Sequence, residues 1–581
     1  MALSGALARS SISIGSIVAE AKGSVLGSTA RSNVGTWGEP DAEPRSQTGS
    51  QTLLSSTAAA QASESPKINK RAVYGLYCSW AIAGMMYGFV YNYINIPICQ
   101  YVFGPMGEPG RSTVAQCNIS QTITCLPWNF QVFYGLFLDR VGFCGTRRKG
   151  WIIFGWTTSL GMLFIIAFLA DHLVSEGALF TYMMLLLLMC IFYIFSTVSS
   201  DGMTIEFGKL EPPENRGYIM TTGQMVRFGS QVVVNLVGIL GMNDKFYYPA
   251  NAAKNSTIFP FGLSFMDVHL VLLAMCVPLY VAMVFLLQDP PRDLEQHHSC
   301  KTVLTTLWSV MKTRVMFSLI IFCVTSTAIA SLQNPALNII ANIAAPSTFQ
   351  LSIGTLLGNL LFLLGVWIFR SFFINRNWRL TFIWTALLLA TNGCFQLMMI
   401  FNTGGIGQSG WFYALGSNIM LLIQGVQQVL SSLSVIEIAP QGFEASVYEF
   451  LISVGNSGIS LNANLMNLFV PIFSLNGIAP RYQFAKDHDP ALHEHFNSLL
   501  GTSTYFVIIT NAVGALCFCW FLPVGKKQCH EWLTQWKRNV TGIFNQTFGW
   551  GVLLFSLTIS MLSAIPSTSC LKIAGGDGCP G

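Results

Sequence analysis

Charge is scarce in this sequence: Asp, Glu, Lys and Arg together make up 10% of its 581 residues. A soluble domain draws about a quarter of its residues from that set, so this chain cannot cover a water-facing surface of its size. The alternating apolar–polar runs of a membrane barrel are missing too. Hydrophobic residues, 52% of the total, come instead in long unbroken blocks. Catalytic signatures are absent: there is no H-E-x-x-H, no G-x-S-x-G and no phosphate-cradling G-x-x-x-x-G-K-[ST]. That argues against an enzyme and against direct energisation by ATP, and no cofactor is called for. Residues 1–70 lack an apolar core that would mark a secretory signal. Their Ser, Ala and Gly content reads as disorder, and Glu20, Asp41 and Glu43 argue against a transit peptide.

What is present is a series of membrane-spanning blocks. A helix needs about 20 mostly apolar residues to cross the roughly 30 Å hydrocarbon core, and only helices or closed barrels satisfy every backbone group there. The blocks predict helical spans at 73–99, 113–137, 150–170, 178–200, 217–241, 264–287, 314–334, 348–370, 378–401, 411–438, 444–474 and 499–523. The segment 548–565 is a shorter candidate for a thirteenth. The second span is the least apolar and is expected to face the protein interior.

Orientation follows from Lys and Arg. With the N-terminus in the cytoplasm, twenty of them fall on the inner side and only five (Arg111, Lys245, Lys254, Arg481 and Lys486) on the outer. The expectation is therefore a multi-pass protein with a cytoplasmic N-terminus, in the plasma membrane rather than an organelle. Asn255 and Asn118 head sequons on the outer side and are glycosylation candidates. Cys99, Cys117 and Cys125 lie near the first outer loop, where a disulfide is an open question. The outer histidines His488, His493 and His495 read as solvated rather than metal-binding, so no metal is expected.

The domain organisation expected is a disordered tail (1–70), a six-helix bundle (71–288), a cytoplasmic connection (289–313), a second six-helix bundle (314–524) and a basic interfacial segment with the extra helix and tail (525–581). The two halves resemble each other weakly. "GLFLDRVGFCGTRRKGWIIFGW" after the second span matches "GVWIFRSFFINRNWRLTFIWTA" after the eighth in a Gly, a short charged turn and a Trp-bearing helix start. Repeated halves are the mark of transporters that rock two bundles about a central site. The loop bearing Asp139, Arg140, Arg147, Arg148 and Lys149 is thus a candidate cytoplasmic gate as well as a topological anchor.

Ionisable residues within spans are costly and therefore functional candidates. Arg227 stands alone about ten residues into the fifth span, with Asp201 or Glu206 of the fourth as its expected partner. Glu437, Glu444 and Glu449 flank a turn, "IEIAPQGFEASVYEF", that has no Lys or Arg of its own. Glu444 is placed to cap the helix that follows. Glu449 lies further in, where a buried carboxyl would be suited to proton coupling. These six are the candidate substrate- or ion-coupling residues.

Three stretches resemble the folate–biopterin transporter family, a branch of the major facilitator superfamily: "PWNFQVFYGLFLDRVGFCGTRRKG", "DGMTIE" with Arg227 following, and "APQGFEASVYEFLISVGNSG". The resemblance implies an all-α polytopic membrane protein, major-facilitator-like, of two six-helix bundles, moving a small organic solute of pterin or folate type by alternating access. The chain departs from the family's Lys-Pro at Gln131 and Val132, and carries Glu449 where the family has a small residue. Both changes work against a dianionic substrate. Alternatives are a carrier of an amino acid or nucleoside, or a receptor or scaffold on the same fold. The expected partners are the lipid bilayer, a small-molecule substrate and protons; nucleic acid is not among them.

Overall fold

The computed structural model describes residues 68–90, 124, 126–176, 178–241, 262–290, 300–344, 346, 348–475, 478–565, 568 and 571. The tail, Asn118, Asn255, Cys99, Cys117 and Cys125 lie outside the described residues. Among those described, the chain is built of helices and turns, with an isolated bridge between Phe143 and Thr146.

The first group contains α1 (Lys70–Phe89), α2 (Gln131–Arg140), α3 (Lys149–Ser175), α4 (Leu179–Leu210), α5 (Tyr218–Gly241) and α6 (Phe265–Leu286). Here α1 packs on α5 and α6, and α3 on α4 and α6. A short amphipathic helix, α7 (Cys300–Met311), bends by 80° into α8 (Arg314–Ala328) and so runs across the spans rather than with them. The second group continues with α9 (Leu337–Ala344), α10 (Thr348–Ile368), α11 (Trp378–Ala390), α12 (Asn392–Ile400), α13 (Gly410–Asn418), α14 (Leu421–Ile438), α15 (Glu444–Ile472), α16 (Ile478–His488) and α17 (Pro490–Phe518). Two more helices close the chain: α18 (Lys526–Thr534) and α19 (Asn539–Ala564). The pairs α8–α15, α10–α14 and α11–α17 hold the second group together.

Eight of the described helical segments are long and apolar enough on their own to cross a membrane. Two helices fall short for a chemical reason: α5 carries Gln224, Arg227, Gln231 and Asn235, and α15 carries Glu444, Glu449 and Asn462. Both meet the opposite bundle, where polar groups face protein instead of lipid. Large apolar side chains such as Phe168, Phe180, Phe285, Trp384 and Trp520 are more than half exposed on the outer surface, as a lipid-facing surface requires.

The bundles meet along two seams, α2 against α15 and α5 against α10. Apolar packing is continuous across them: Val132, Ile205 and Met220 share a core cluster with Val366, Leu433, Ile436 and Val447. The rings of Phe228 and Phe362 lie 3.9 Å apart, centroid to centroid. Gly135 permits the first seam, because a Cβ there would strike the Ala445 carbonyl.

Three expectations need correction. The seventh span is broken: α8 stops at Ala328 and α9 begins at Leu337. Pro335 has no amide hydrogen to give and turns Asn334 away from helix. Three asparagines satisfy the freed backbone. Asn462 donates to the carbonyls of Thr327 and Ser331 (both 2.8 Å) and accepts from Gln333 N (3.1 Å). Asn511 accepts from Leu332 N (2.8 Å) and donates to Leu332 O (3.2 Å). Asn334 accepts from Ala336 N (2.9 Å) and donates to Gln396 (2.7 Å) and Thr504 (2.8 Å). Next, the thirteenth helix is a full 26 residues, starting at Asn539 instead of 548. Its polar first half concealed it, yet Asn545 is buried there and donates to Met311 O (2.7 Å). The interfacial helix is correspondingly shorter, ending at Thr534.

Candidate transport site and the basic face

The α2–α3 connection is a tight turn. Cys144 and Gly145 have φ of 51° and 68°, and Phe143 and Thr146 exchange backbone hydrogen bonds of 2.9 and 3.0 Å. Paired positive φ values are what a two-residue hairpin turn demands. The turn delivers Arg147 and Arg148 to the start of α3. There Asp289, just beyond α6, accepts from the backbone N–H groups of Arg147 (2.9 Å), Arg148 (3.2 Å) and Lys149 (3.0 Å). A carboxylate satisfies these orphan donors and matches the positive end of the helix dipole.

Arg148 is buried, its side chain 1% exposed. Its guanidinium donates to Asp139 Oδ1 at 2.7 Å and to Glu206 Oε1 at 2.6 Å. The other oxygen of Asp139 crosses the seam, accepting from the Ser446 backbone N–H (2.7 Å) and hydroxyl (2.6 Å) on α15. Arg147 bridges Glu206 (3.3 Å), the Gly442 carbonyl (2.9 Å) and Glu444 (3.4 Å). Lys209 donates to Glu444 (3.0 Å) and the Ala439 carbonyl (2.6 Å). Further along this basic face, Glu437 accepts from Arg216 (3.0 Å) and pairs with His530 (2.7 Å). Lys526 donates to the carbonyls of Pro213 (2.9 Å) and Arg216 (3.0 Å). Arg370 donates to Thr222 (2.7 Å) and lies over the ring of Tyr218. All of these latches except the Arg148 pairs, the Arg147–Glu206 pair and the Glu437–His530 pair tie the first bundle to the second or to α18.

Several sequence expectations change here. Glu206 is not the partner of Arg227; it is committed to Arg147 and Arg148. Glu437 and Glu444 lack basic residues in their own turn, but the opposite bundle and α18 supply them. Both belong to the basic face rather than to the interior. Of the loop cations, Arg147 and Arg148 make the network. Lys149 contributes its backbone N–H, and Arg140 is exposed at the end of α2.

Arg227, Asp201 and Glu449 form a second group, deeper between the bundles. Gly84 lets α1 touch α5 here, since a Cβ would strike the Arg227 carbonyl. The half-buried Arg227 guanidinium lies over the faces of Trp80 and Tyr87, 5.5 Å from each ring centroid. Such cation–π contacts stabilise a partly desolvated guanidinium by about 0.5–2 kcal/mol each. Trp80 is fixed beneath it by its Nε1–H bond to Thr204 (3.1 Å). The acids and phenols nearest Arg227 are Asp201, Tyr193, Tyr87 and Tyr448, and Tyr448 sits within hydrogen-bonding range of Asp201. Rings continue from Tyr87 through Trp128 to Tyr193 at centroid spacings of 6.3 and 5.2 Å.

Glu449 is fully buried, one turn beyond Ser446 and against Gly135. Neither of its carboxyl oxygens has a hydrogen-bond partner. The charges that act on it most are Asp201, Asp139, Arg227 and Arg148. It therefore lies between the basic-face network and the interior group.

Sequence reading missed Asp289, Lys209, Ser446 and Glu211 as functional residues. Asp289 and Lys209 act on segments more than 100 residues away, so no local pattern reveals them. Ser446 was visible only as part of the family-like turn. Glu211 caps α5, accepting from Gly217 N (2.7 Å) and Ile219 N (2.9 Å). Burial nevertheless pushes its carboxyl up to about 7, outweighing those N–H bonds and the pull of Lys526. The three outer histidines make no metal cluster; among the described residues no group of three His, Cys, Asp or Glu is arranged to hold an ion.

The BT1 family model matches residues 106–477, well over half of the chain and spanning both charge groups. The chain belongs to the BT1 family. It is accordingly an integral, multi-pass membrane transporter, helical throughout its described spans. Solved structures similar to this BT1 chain include the major facilitator superfamily proton:xylose symporter XylE bound to 6-bromo-6-deoxy-D-glucose. That similarity is 13% identity over 81% of this chain and 100% of the other, with a TM-score of 0.49. A bacterial homolog of the human lysosomal transporter Spinster, inward-facing and unoccupied, matches at 13% identity over 79% of this chain and 96% of its own, with a TM-score of 0.42. No curated protein sequence matches the chain.

Proposed function

We propose that this BT1 chain is a secondary active transporter that moves a small, planar, pterin-like solute by alternating access, with proton coupling through Glu449. The basic face is its cytoplasmic side, as the distribution of Lys and Arg favours, and the plasma membrane is its location. The observation that carries the reading is Glu449: a fully buried carboxyl with both oxygens unbonded, set between the gate charges and the interior group. An ionised carboxylate in that state costs several kcal/mol, so the arrangement favours a proton on Glu449 or a donor group from the substrate. Alternation between the two couples the movement of a proton to that of the solute. The aromatic faces around Arg227 suit stacking of a flat heterocycle, and Asp201 and Glu449 suit its ring N–H donors. Two acids against one guanidinium also favour a neutral or cationic solute over a dianion, which supports an amino acid or nucleoside as the second reading.

The test is transport in proteoliposomes, with the solute first found by thermal-shift screening of pterins, folates, amino acids and nucleosides; a ligand bound only by the folded state raises its apparent stability. Glu449→Gln keeps shape but cannot ionise. Net uptake is expected to lose its dependence on a proton gradient while solute exchange survives. Wild-type gradient dependence in that variant would remove Glu449 from the coupling. Failure to observe saturable uptake or counterflow of any solute would favour a receptor or scaffold.

A further inference from the structure

A cavity of about 450 Å³ opens on the basic face of the second bundle, at the Lys526 end of the latches, and none of Arg227, Asp201 or Glu449 lines it. Its walls are the connection before α11 (374–378) and the connection into α18 (524–528), with Glu531 at one edge. Three of its lining residues are cationic: Arg376, Lys526 and Lys527. Lys526 is held, donating to Asn375 Oδ1 (3.2 Å) as well as to Pro213 O and Arg216 O across the seam. Arg376 and Lys527 are exposed, and neither side chain is engaged by an acceptor among the described residues. Two helices also begin at this cavity, α11 at Trp378 and α18 at Lys526. Gly525, ahead of α18, offers no side chain to cap it, so the first N–H groups of α18 face the space that Lys527 borders. The start of α11 is already satisfied, Trp378 N donating to Val524 O (2.8 Å) and Leu380 N to Asn377 Oδ1 (3.2 Å), so it is the cations and the uncapped start of α18 that suit a group bearing several negative charges.

The location says where such a group comes from. Two candidate membrane spans, 378–400 and 490–521, start or end within a few residues of the cavity's lining at 374–378 and 524–528. Both carry outward apolar side chains just below it: Leu380 and Trp384 on one, Leu516 and Trp520 on the other, each about half exposed or more. A lipid whose headgroup filled the cavity would lay its acyl chains along that surface. A soluble anion would use only the cations. We infer that this cavity is a binding site for the phosphorylated headgroup of an anionic membrane lipid. Because Lys526 both lines the cavity and latches the bundles, such a lipid sits against the closed seam.

The test measures binding to the purified full-length chain by native mass spectrometry, with short-chain phosphatidylinositol 4-phosphate as probe. Phosphatidylcholine and the free headgroup, inositol 1,4-bisphosphate, are the comparison ligands. Each Lys or Arg near an anionic lipid surface is worth a factor of about five in affinity. Arg376→Ala with Lys527→Ala should thus weaken the phosphoinositide about 25-fold, while Lys537→Ala with Arg538→Ala, an equal loss of charge on neighbouring exposed residues, leaves it within about twofold. The free headgroup should bind at least about tenfold more weakly than the lipid. Equal weakening by Lys537→Ala with Arg538→Ala would reduce the effect to diffuse surface charge and overturn the site. So would an unaffected double variant, or phosphatidylcholine binding as well as the phosphoinositide. Free headgroup binding as tightly as the lipid would make this a soluble-anion site and overturn the lipid assignment.

Discussion

Arg148 and Glu211 show how single residues set the behaviour of the basic face. Arg148 lies between Asp139 and Glu206 with almost no solvent contact, and an arrangement like this is worth having only while complete. Removing one partner of a buried pair typically costs about 3–5 kcal/mol, because the other charge is left uncompensated. Glu211 is different in sign. Its carboxyl has an ordinary value of 4.5 but titrates near 7 in the folded protein, so the folded state holds its proton more tightly than the unfolded one. Its contribution is fully present below pH 4.5 and is lost as the pH rises towards 7, by up to about 1.4 kcal/mol per unit. Thermal unfolding in detergent should therefore show stability falling over that window. Glu211→Gln, which stays neutral, should flatten the slope; an unchanged slope would assign the pH dependence elsewhere. The residue types explain why Glu211 was not found from sequence. "KLEPPENRG" reads as a polar turn, and only folding brings the Gly217 and Ile219 N–H groups to that carboxyl.

At the scale of elements, the break between α8 and α9 is the clearest feature. Pro335 announces it, since a proline in a span needs its freed groups satisfied by neighbours. The neighbours themselves, Asn462 on α15 and Asn511 on α17, sit more than 120 residues later and read in sequence as ordinary polar positions within spans. Asn462 serves two carbonyls and one N–H. Its replacement by Ala should cost about 3 kcal/mol, at about 1 for each hydrogen bond lost, read as a lower melting temperature with the fold retained. A melting temperature equal to wild type would mean that water replaces the side chain fully, as it would in a cavity open to solvent. The thirteenth helix makes the same point from the other direction. Its apolar half was legible as a candidate span. Its polar half was not, because Asn545 becomes tolerable only when Met311 offers a carbonyl.

For the whole molecule, the basic-face contacts join the two bundles, and the molecule is latched there through Asp139–Ser446, Arg147–Glu444, Lys209–Glu444, Arg216–Glu437 and Lys526. Rocking one bundle against the other has to break these together, which makes the face a two-state element rather than a flexible one. Spin labels at Arg140→Cys and Gln441→Cys, both exposed positions on opposite sides of the seam, should report a single short separation in the unliganded protein. Asp139→Asn keeps the volume, but it weakens the bridge from Arg148 to Ser446. A second, longer separation should then appear; its absence would show that the remaining latches hold the face shut without Asp139.

Sequence alone determined the membrane class, most of the helical spans, the uneven placement of Lys and Arg and the short list of ionisable residues in or beside the spans. Each rests on a local quantity: the length of an apolar block against the bilayer, the position of a cation relative to it, or the cost of a charge inside it. Tertiary structure decided which charges answer one another. Glu206 went to Arg147 and Arg148 instead of Arg227, Glu444 and Glu437 found their cations on the opposite bundle and on α18, and Arg227 settled over aromatic rings. Partner choice depends on distances between helices far apart in sequence, and in a low-dielectric interior a few ångströms decide which carboxylate a guanidinium selects.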